Sequence, residues 1–166
     1  MFSPVPLRSQ RLLAPLLVPF LFACHSLAQG SAVIAVGEGE RSYIEHVPAD
    51  LDPDRPAPLL LVFHGGGGSA QKALDGMGFD RLVDEVGVAI AYPDGIEGHW
   101  NDGRGGEKFA EQDAKVDDVA YVLEILSDMQ HRHPIDPARV YAVGASNGGM
   151  FVQRLAIEHP ESFAAV

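Results

Sequence analysis

The sequence predicts an α/β fold, a mostly parallel sheet with helices packed on its faces. Three observations carry that expectation. Short apolar runs alternate with amphipathic stretches from Leu59 onward, the pattern of strands joined by crossover helices. Two of those runs, Leu59–Phe63 and Val140–Val143, are apolar almost throughout, as in strands buried on both faces of a parallel sheet. Each run leads directly into a glycine-rich turn, His64–Ser69 after the first and Gly144–Gly149 after the second.

The elements follow in order. Ser31–Val36 and Ser42–Val47 read as two short strands joined at Gly37-Glu38-Gly39, and in the second Tyr43, Glu45 and Val47 alternate with Ile44 and His46. That period of two marks a half-buried strand. Residues 48–58 hold four prolines and read as a polar loop;. A single helix is expected over Ala73–Val86 and a buried strand over Val88–Tyr92. Residues 93–113 are rich in glycine and charge, contain the only tryptophan, Trp100, and read as a long loop. Long loops in compact domains are often functional. Lys115–Gln130 carries Val116, Val119, Ala120, Leu123, Leu126 and Met129 at helical spacing, with Pro134 and Pro137 ending the helix;. Gly149–His159 is a helix stopped by Pro160, and Phe163–Val166 begins a further strand. No internal repeat is visible.

Composition bounds the function. The chain has 166 residues, 46% of them hydrophobic, which suits one globular domain. With 23 acidic against 12 basic residues and a formal charge of −11, neither a nucleic acid nor an anionic membrane surface is an expected partner. The single cysteine, Cys24, can form no internal disulfide;. Residues 1–28 stand apart: Arg8 and Arg11 without any acid, an apolar run from Leu12 to Ala23, then Ser26-Leu27-Ala28. This reads as a secretory signal peptide, leaving residues 29–166 as an exported domain, extracellular or periplasmic. The run is too short to span a membrane. Leu21-Phe22-Ala23-Cys24 offers a second route, a loose lipobox in which Cys24 carries lipid. The membrane is a partner only in that case, and the bulk of Phe22 places it behind simple secretion.

The chemistry centres on Gly144-Ala145-Ser146-Asn147-Gly148, a G-x-S-x-G sequence between an apolar strand and a helix. In that context Ser146 reads as a nucleophile on a sharp, strained turn. Side chains two positions to either side would clash, hence Gly144 and Gly148. The other glycine turn, His64-Gly65-Gly66-Gly67-Gly68-Ser69, matches an oxyanion loop of α/β-hydrolases, where backbone N–H groups meet the developing negative charge. Gly66 and Asn147 are the expected donors, with Gly67 the rival for the first. His64 is expected to order this loop rather than serve as base. A phosphate-binding loop is rejected because no Gly-Lys-Ser/Thr follows.

Six segments in order, Leu61–Gly66, Tyr92–Gly95, Trp100–Asp102, Val116–Val119, Ile135–Tyr141 and Gly144–Met150, resemble the exported polyhydroxybutyrate depolymerase-like esterases. That family is a branch of the α/β-hydrolases near the feruloyl and acetyl-xylan esterases, and the likeness covers about residues 30–166. It implies Ser146 as nucleophile, Trp100 and Asn101 near the mouth of the site, and an ester of a polyhydroxyalkanoate or a plant polysaccharide as substrate. No cofactor and no metal are expected.

The remaining acids and histidines have plainer readings. His131-Arg132-His133 lacks a third ligand and reads as a solvated helix end. Asp117 and Asp118 suit capping or packing in a helix's first turn. His159 lies about 20 Å along its helix from Ser146, and His46 and His99 have no evident partner. In α/β-hydrolases the acid and the histidine follow the serine in the chain, and only 20 residues follow Ser146 here. The expectation is therefore the amino-terminal portion of a larger catalytic domain, truncated on its carboxy-terminal side and inactive alone. The full-length protein is expected to be a secreted serine esterase. The alternative is a non-catalytic exported protein that binds polysaccharide or polyester on a hydrolase scaffold, and an exopeptidase of the same fold is a weaker third.

Overall fold

The computed structural model describes residues 28–36, 39–105 and 116–166. The expected leader up to residue 27, with Cys24, lies outside the described residues, as do Gly37, Glu38 and Lys115. Five strands form one sheet in the order β1-β2-β4-β3-β5. β1 (Ala28–Val36) and β2 (Gly39–Val47) pair antiparallel, from Ala28 opposite Val47 to Val36 opposite Gly39. So short a connection permits only that direction. β2 also runs antiparallel to β4 (Ala89–Pro93). The centre is parallel: β3 (Ala57–Phe63) lies between β4 and β5 (Ile135–Gly144), and helices make the crossovers. The sheet is thus mixed, with its antiparallel strands at the amino-terminal edge.

Helices cover both faces. On one, α1 (Ala70–Met77) and α2 (Arg81–Val86) set Ala73, Leu74 and Val83 against Val62, Ile90 and Tyr92. On the other, α3 (Asp118–Arg132) and α4 (Asn147–Glu158) pack Val122, Ile125, Met129, Phe151 and Leu155 onto Leu59, Leu61, Phe63 and Ala91. The two clusters contain side chains of opposite parity on β3, as a pleated strand requires.

Several boundaries differ from expectation for identifiable reasons. The single helix expected over Ala73–Val86 is two helices. Gly78 takes the left-handed conformation (φ 68°) and ends α1, and Gly87 (φ 71°) ends α2;. α1 starts three residues early because the Ser69 hydroxyl accepts from the Lys72 N–H;. α3 starts at Asp118 because the Asp117 carboxylate caps it, accepting from the Ala120 N–H. β5 begins at Ile135, and Pro137, which has no N–H to give, falls in an irregularity opposite Ala57–Leu59;. Beyond α4, Ala165 bridges Tyr141 in parallel, in keeping with a strand beginning there.

The end of α3 is not merely solvated. Arg132 donates to both oxygens of Glu45 at 2.8 and 2.5 Å and to Asp128 at 2.8 Å, while His133 lies 3.2 Å from Glu45. These contacts tie the helix to β2. Burial opposes the charge on Glu45 and Asp128, but hydrogen bonds, chiefly from Arg132, outweigh it and hold both carboxyls below their ordinary range. Carboxyls with lowered folded values contribute stability that is complete above the unfolded value of about 4 and lost as pH falls through the folded values. The difference in urea-unfolding midpoint between the parent and Arg132→Gln, which isolates this cluster, should therefore hold from pH 7 to about 5 and shrink below about 4. A variant whose acid decline matches the parent's would remove this cluster from the cause.

Candidate active site

β5 ends at Gly144 and α4 begins at Asn147, so Ser146 occupies the corner between them. Its backbone is forced to φ 51°, ψ −118°, and Glu97 (φ 50°) is the only other non-glycine residue with positive φ among those described. Such strain persists only where neighbours over-determine it. The flanking glycines show how. A Cβ at Gly144 would lie 2.4 Å from the Gly148 carbonyl carbon, and one at Gly148 would lie 2.4 Å from the His64 oxygen and 2.7 Å from the Phe63 oxygen. The first turn of α4 thus rests directly on the end of β3. Gly148→Ala should push the two apart and destabilise the fold by about 1–3 kcal/mol; an unchanged thermal melt would refute that contact.

The loop after β3 faces this corner. Ideal Cβ positions at Gly65 and Gly66 lie 3.6 Å from the Ser146 Cβ and 3.7 Å from the Asn147 Cβ. His64 engages loop backbone through both ring nitrogens. The Gly95 N–H donates to its Nε2 at 3.0 Å, so the proton sits on Nδ1, which reaches the Gly65 oxygen at 2.9 Å. Burial pushes its pKa down, which keeps the ring neutral. With both nitrogens engaged by backbone, it has none to offer Ser146. Gly67 (φ 74°) spends its N–H on the Gly98 oxygen at 2.8 Å, and the Gly68 N–H closes a turn onto Gly65. Of the two rival donors, Gly66 is the one whose neighbour across the gap is Asn147. The N–H of Asn147 lies in the first turn of α4, where amides have no partner within the helix.

Trp100 and Asn101 are not at the mouth. The Trp100 indole is fully buried, stacked 5.3 Å from Phe151 and edge-on 5.2 Å from Phe63, and it donates to the His64 oxygen at 2.9 Å. An indole whose one donor is satisfied inside an aromatic cluster gains nothing from solvent, so it forms the floor. Asn101 is also buried, its N–H donating to Asp118 at 2.6 Å. The residue at the rim is His99. Its ring lies 3.1–3.2 Å from where a Gly66 Cβ would be, and its Nδ1 reaches the Glu97 oxygen at 3.0 Å. No spacing in the sequence links His99 to Gly66.

Under the floor, Asp118 is wholly buried and takes Arg41 at 2.5 Å. Arg41 also donates to the Asp94 oxygen at 2.8 Å and lies 3.6 Å over the Tyr121 ring. Burial pushes the Asp118 carboxyl up, against the pull of Arg41 and the Asn101 N–H.

The arrangement presents an exposed hydroxyl at the carboxy end of a parallel strand, beside backbone N–H groups from two glycine turns. No side chain among the described residues hydrogen-bonds that hydroxyl. A strained serine between close-packed glycines, opening a helix against the loop of the neighbouring parallel strand, is an arrangement of the α/β-hydrolase fold. The chain belongs to the Esterase PHB depolymerase family, whose model matches residues 41–166. It is 37% identical over 141 residues to NocK of Nocardia uniformis subsp. tsuyamanensis, covering 80% of this chain and 38% of that protein. It is 31% identical over 130 residues to feruloyl esterase B of Thermothelomyces thermophilus, covering 72% and 40%. The fold matches that of the CE1 ferulic acid esterase AmCE1/Fae1A of Anaeromyces mucronatus with a TM-score of 0.63 at 15% identity, covering 84% of this chain and 57% of that one. The chain thus spans about two fifths of the two curated relatives' length.

Proposed function

We propose that Ser146 is the nucleophile of a carboxylic ester hydrolase. The observation that carries this is its strained backbone, φ 51°, holding an exposed hydroxyl where β5 meets α4. Ser146 Oγ attacks the ester carbonyl carbon as its proton passes to a histidine base. The oxygen that becomes negative is met by the N–H groups of Gly66 and Asn147. Collapse of the tetrahedral intermediate breaks the ester bond, releases the alcohol and leaves an acyl-enzyme, which water hydrolyses to the acid and free serine. The base and the carboxylate that orients it come from outside the described residues. The mechanism itself calls for neither metal nor cofactor. The family and the feruloyl esterase relative support an ester in a polyhydroxyalkanoate or a feruloylated or acetylated polysaccharide as substrate.

The polymeric substrate suits export, with residues 1–28 as the leader and lipidation of Cys24 as the lesser route. Mass spectrometry of the mature amino terminus separates the two. A fluorophosphonate probe applied to the full-length protein should label the peptide containing Ser146. An unlabelled Ser146 in folded protein overturns the nucleophile, and ligand binding without turnover would then support a binding protein.

A further inference from the structure

The helix N-termini are not built alike. α1 and α3 are capped by the side chains of Ser69 and Asp117, whereas Asp80 before α2 and Ser146 before α4 make no side-chain cap bond. A serine whose hydroxyl faces a substrate cannot also bond back to its own helix. The first residue of α4 is held instead by contacts of its own side chain.

That residue is Asn147, and its side chain points inward. Its Oδ1 accepts from the Trp100 N–H at 2.9 Å, and its Nδ2 donates to the Trp100 oxygen at 3.0 Å and to Asp102 Oδ2 at 2.8 Å. The amide thus pairs with the Trp100 backbone as a neighbouring strand would. Trp100 is itself immobilised by Phe63, Phe151 and the His64 oxygen. The Asp102 carboxylate is fully enclosed and is also met by Arg104, Nη2 at 2.7 Å and Nε at 3.0 Å from both oxygens. Burial works against its charge, but Arg104 and Asn147 outweigh that and hold the carboxyl below its ordinary range.

We infer that Asn147 and Asp102 are positioning residues: the buried amide, anchored by the carboxylate, fixes the first residue of α4 to the floor of the site and aims the Asn147 N–H at the oxygen that becomes negative. The role rests on Ser146 being the nucleophile. It predicts that loosening the anchor slows chemistry without weakening binding, because a donor displaced by a fraction of an ångström still admits substrate but stabilises the transition state less. The salt bridge to Arg104 is secondary. What matters at Asp102 is an acceptor for the Asn147 amide.

The test uses the full-length enzyme, with ester hydrolysis and fluorophosphonate inactivation measured on each variant together with its melting temperature. Asp102→Ala and Asn147→Ala should lower kcat and the maximal inactivation rate about 10–100-fold with KM within about 3-fold. Asp102→Asn keeps an oxygen acceptor and should recover most of the rate, and Arg104→Gln should stay within about 3-fold of the parent. If Asp102→Ala does not fold, Asn147→Ala, which deletes only the amide, gives the same reading. Parental kcat in Asn147→Ala overturns the role. So does a loss in Asp102→Asn and Arg104→Gln as large as in Asp102→Ala, which would make the ion pair's hold on the loop the cause. Parent enzyme that the probe leaves unlabelled overturns the nucleophile itself, a failure distinct from either.

Discussion

Ser146→Ala in the full-length enzyme is expected to lower kcat for ester hydrolysis on the order of 10⁶-fold, as removal of a serine nucleophile does where the serine acts with its base as a unit. The Oγ is the atom that would carry the acyl group, and alanine leaves the site nothing to carry it. Stability should barely change, because alanine is forced into the same left-handed backbone and loses no hydrogen bond seen in the structure. Ser146→Gly makes the useful contrast: equally inactive, but relieved of strain at φ 51° and hence higher melting;. Hydrolysis rates and thermal melts of the two variants check both halves. Ester hydrolysis retained in Ser146→Ala would remove this serine from the chemistry.

Asp118→Ala should cost about 3–5 kcal/mol of stability, the range for stripping one partner from a buried ion pair. The carboxylate has no exposed surface and the Arg41 side chain is only 11% exposed. Without Asp118 the guanidinium keeps the Asp94 oxygen and the face of Tyr121, neither of which neutralises it. The Asn101 N–H loses its acceptor at the same time. Replacing both members, Arg41→Met with Asp118→Leu, should recover much of the loss, because the penalty lies in the unpaired charge rather than in the absent attraction. Urea unfolding of the single and double variants measures this, and a loss under about 1 kcal/mol in Asp118→Ala would mean that Arg41 swings out to solvent.

The parts of this molecule that a sequence shows are those whose cause is local. The glycines around Ser146 are readable because a backbone atom 2.4 Å away forbids any side chain, and the apolar runs at β3 and β5 are readable because both their faces are covered. For Asp117 and Asp118 the helix's first turn predicts capping or packing, and the structure divides the labour, Asp117 capping and Asp118 packing. Other features lack a local cause. Gly78 splits a helix that hydrophobic spacing alone continues, since spacing does not register a left-handed backbone. Trp100 sits beneath the site rather than at its mouth because Phe63 and Phe151 come from two distant elements to enclose it. That the Gly67 N–H is already spent depends on the Gly98 carbonyl, a partner supplied by another loop. His99 and the Asn147–Asp102 anchor are invisible for the same reason.

The supports of the site join residues far apart in the chain: Trp100 and Asn147 are 47 positions apart, Arg41 and Asp118 77, and Tyr121 and the Ser42 carbonyl 79. Closing such loops is entropically expensive before any contact repays it. During synthesis the glycine loop after β3 leaves the ribosome well before α4 does, and Trp100 beneath it is enclosed only when Phe151 of α4 arrives. The closeness of the two glycine turns is therefore not inherited from any short segment. It forms only when α4 docks against the glycine loop that follows β3.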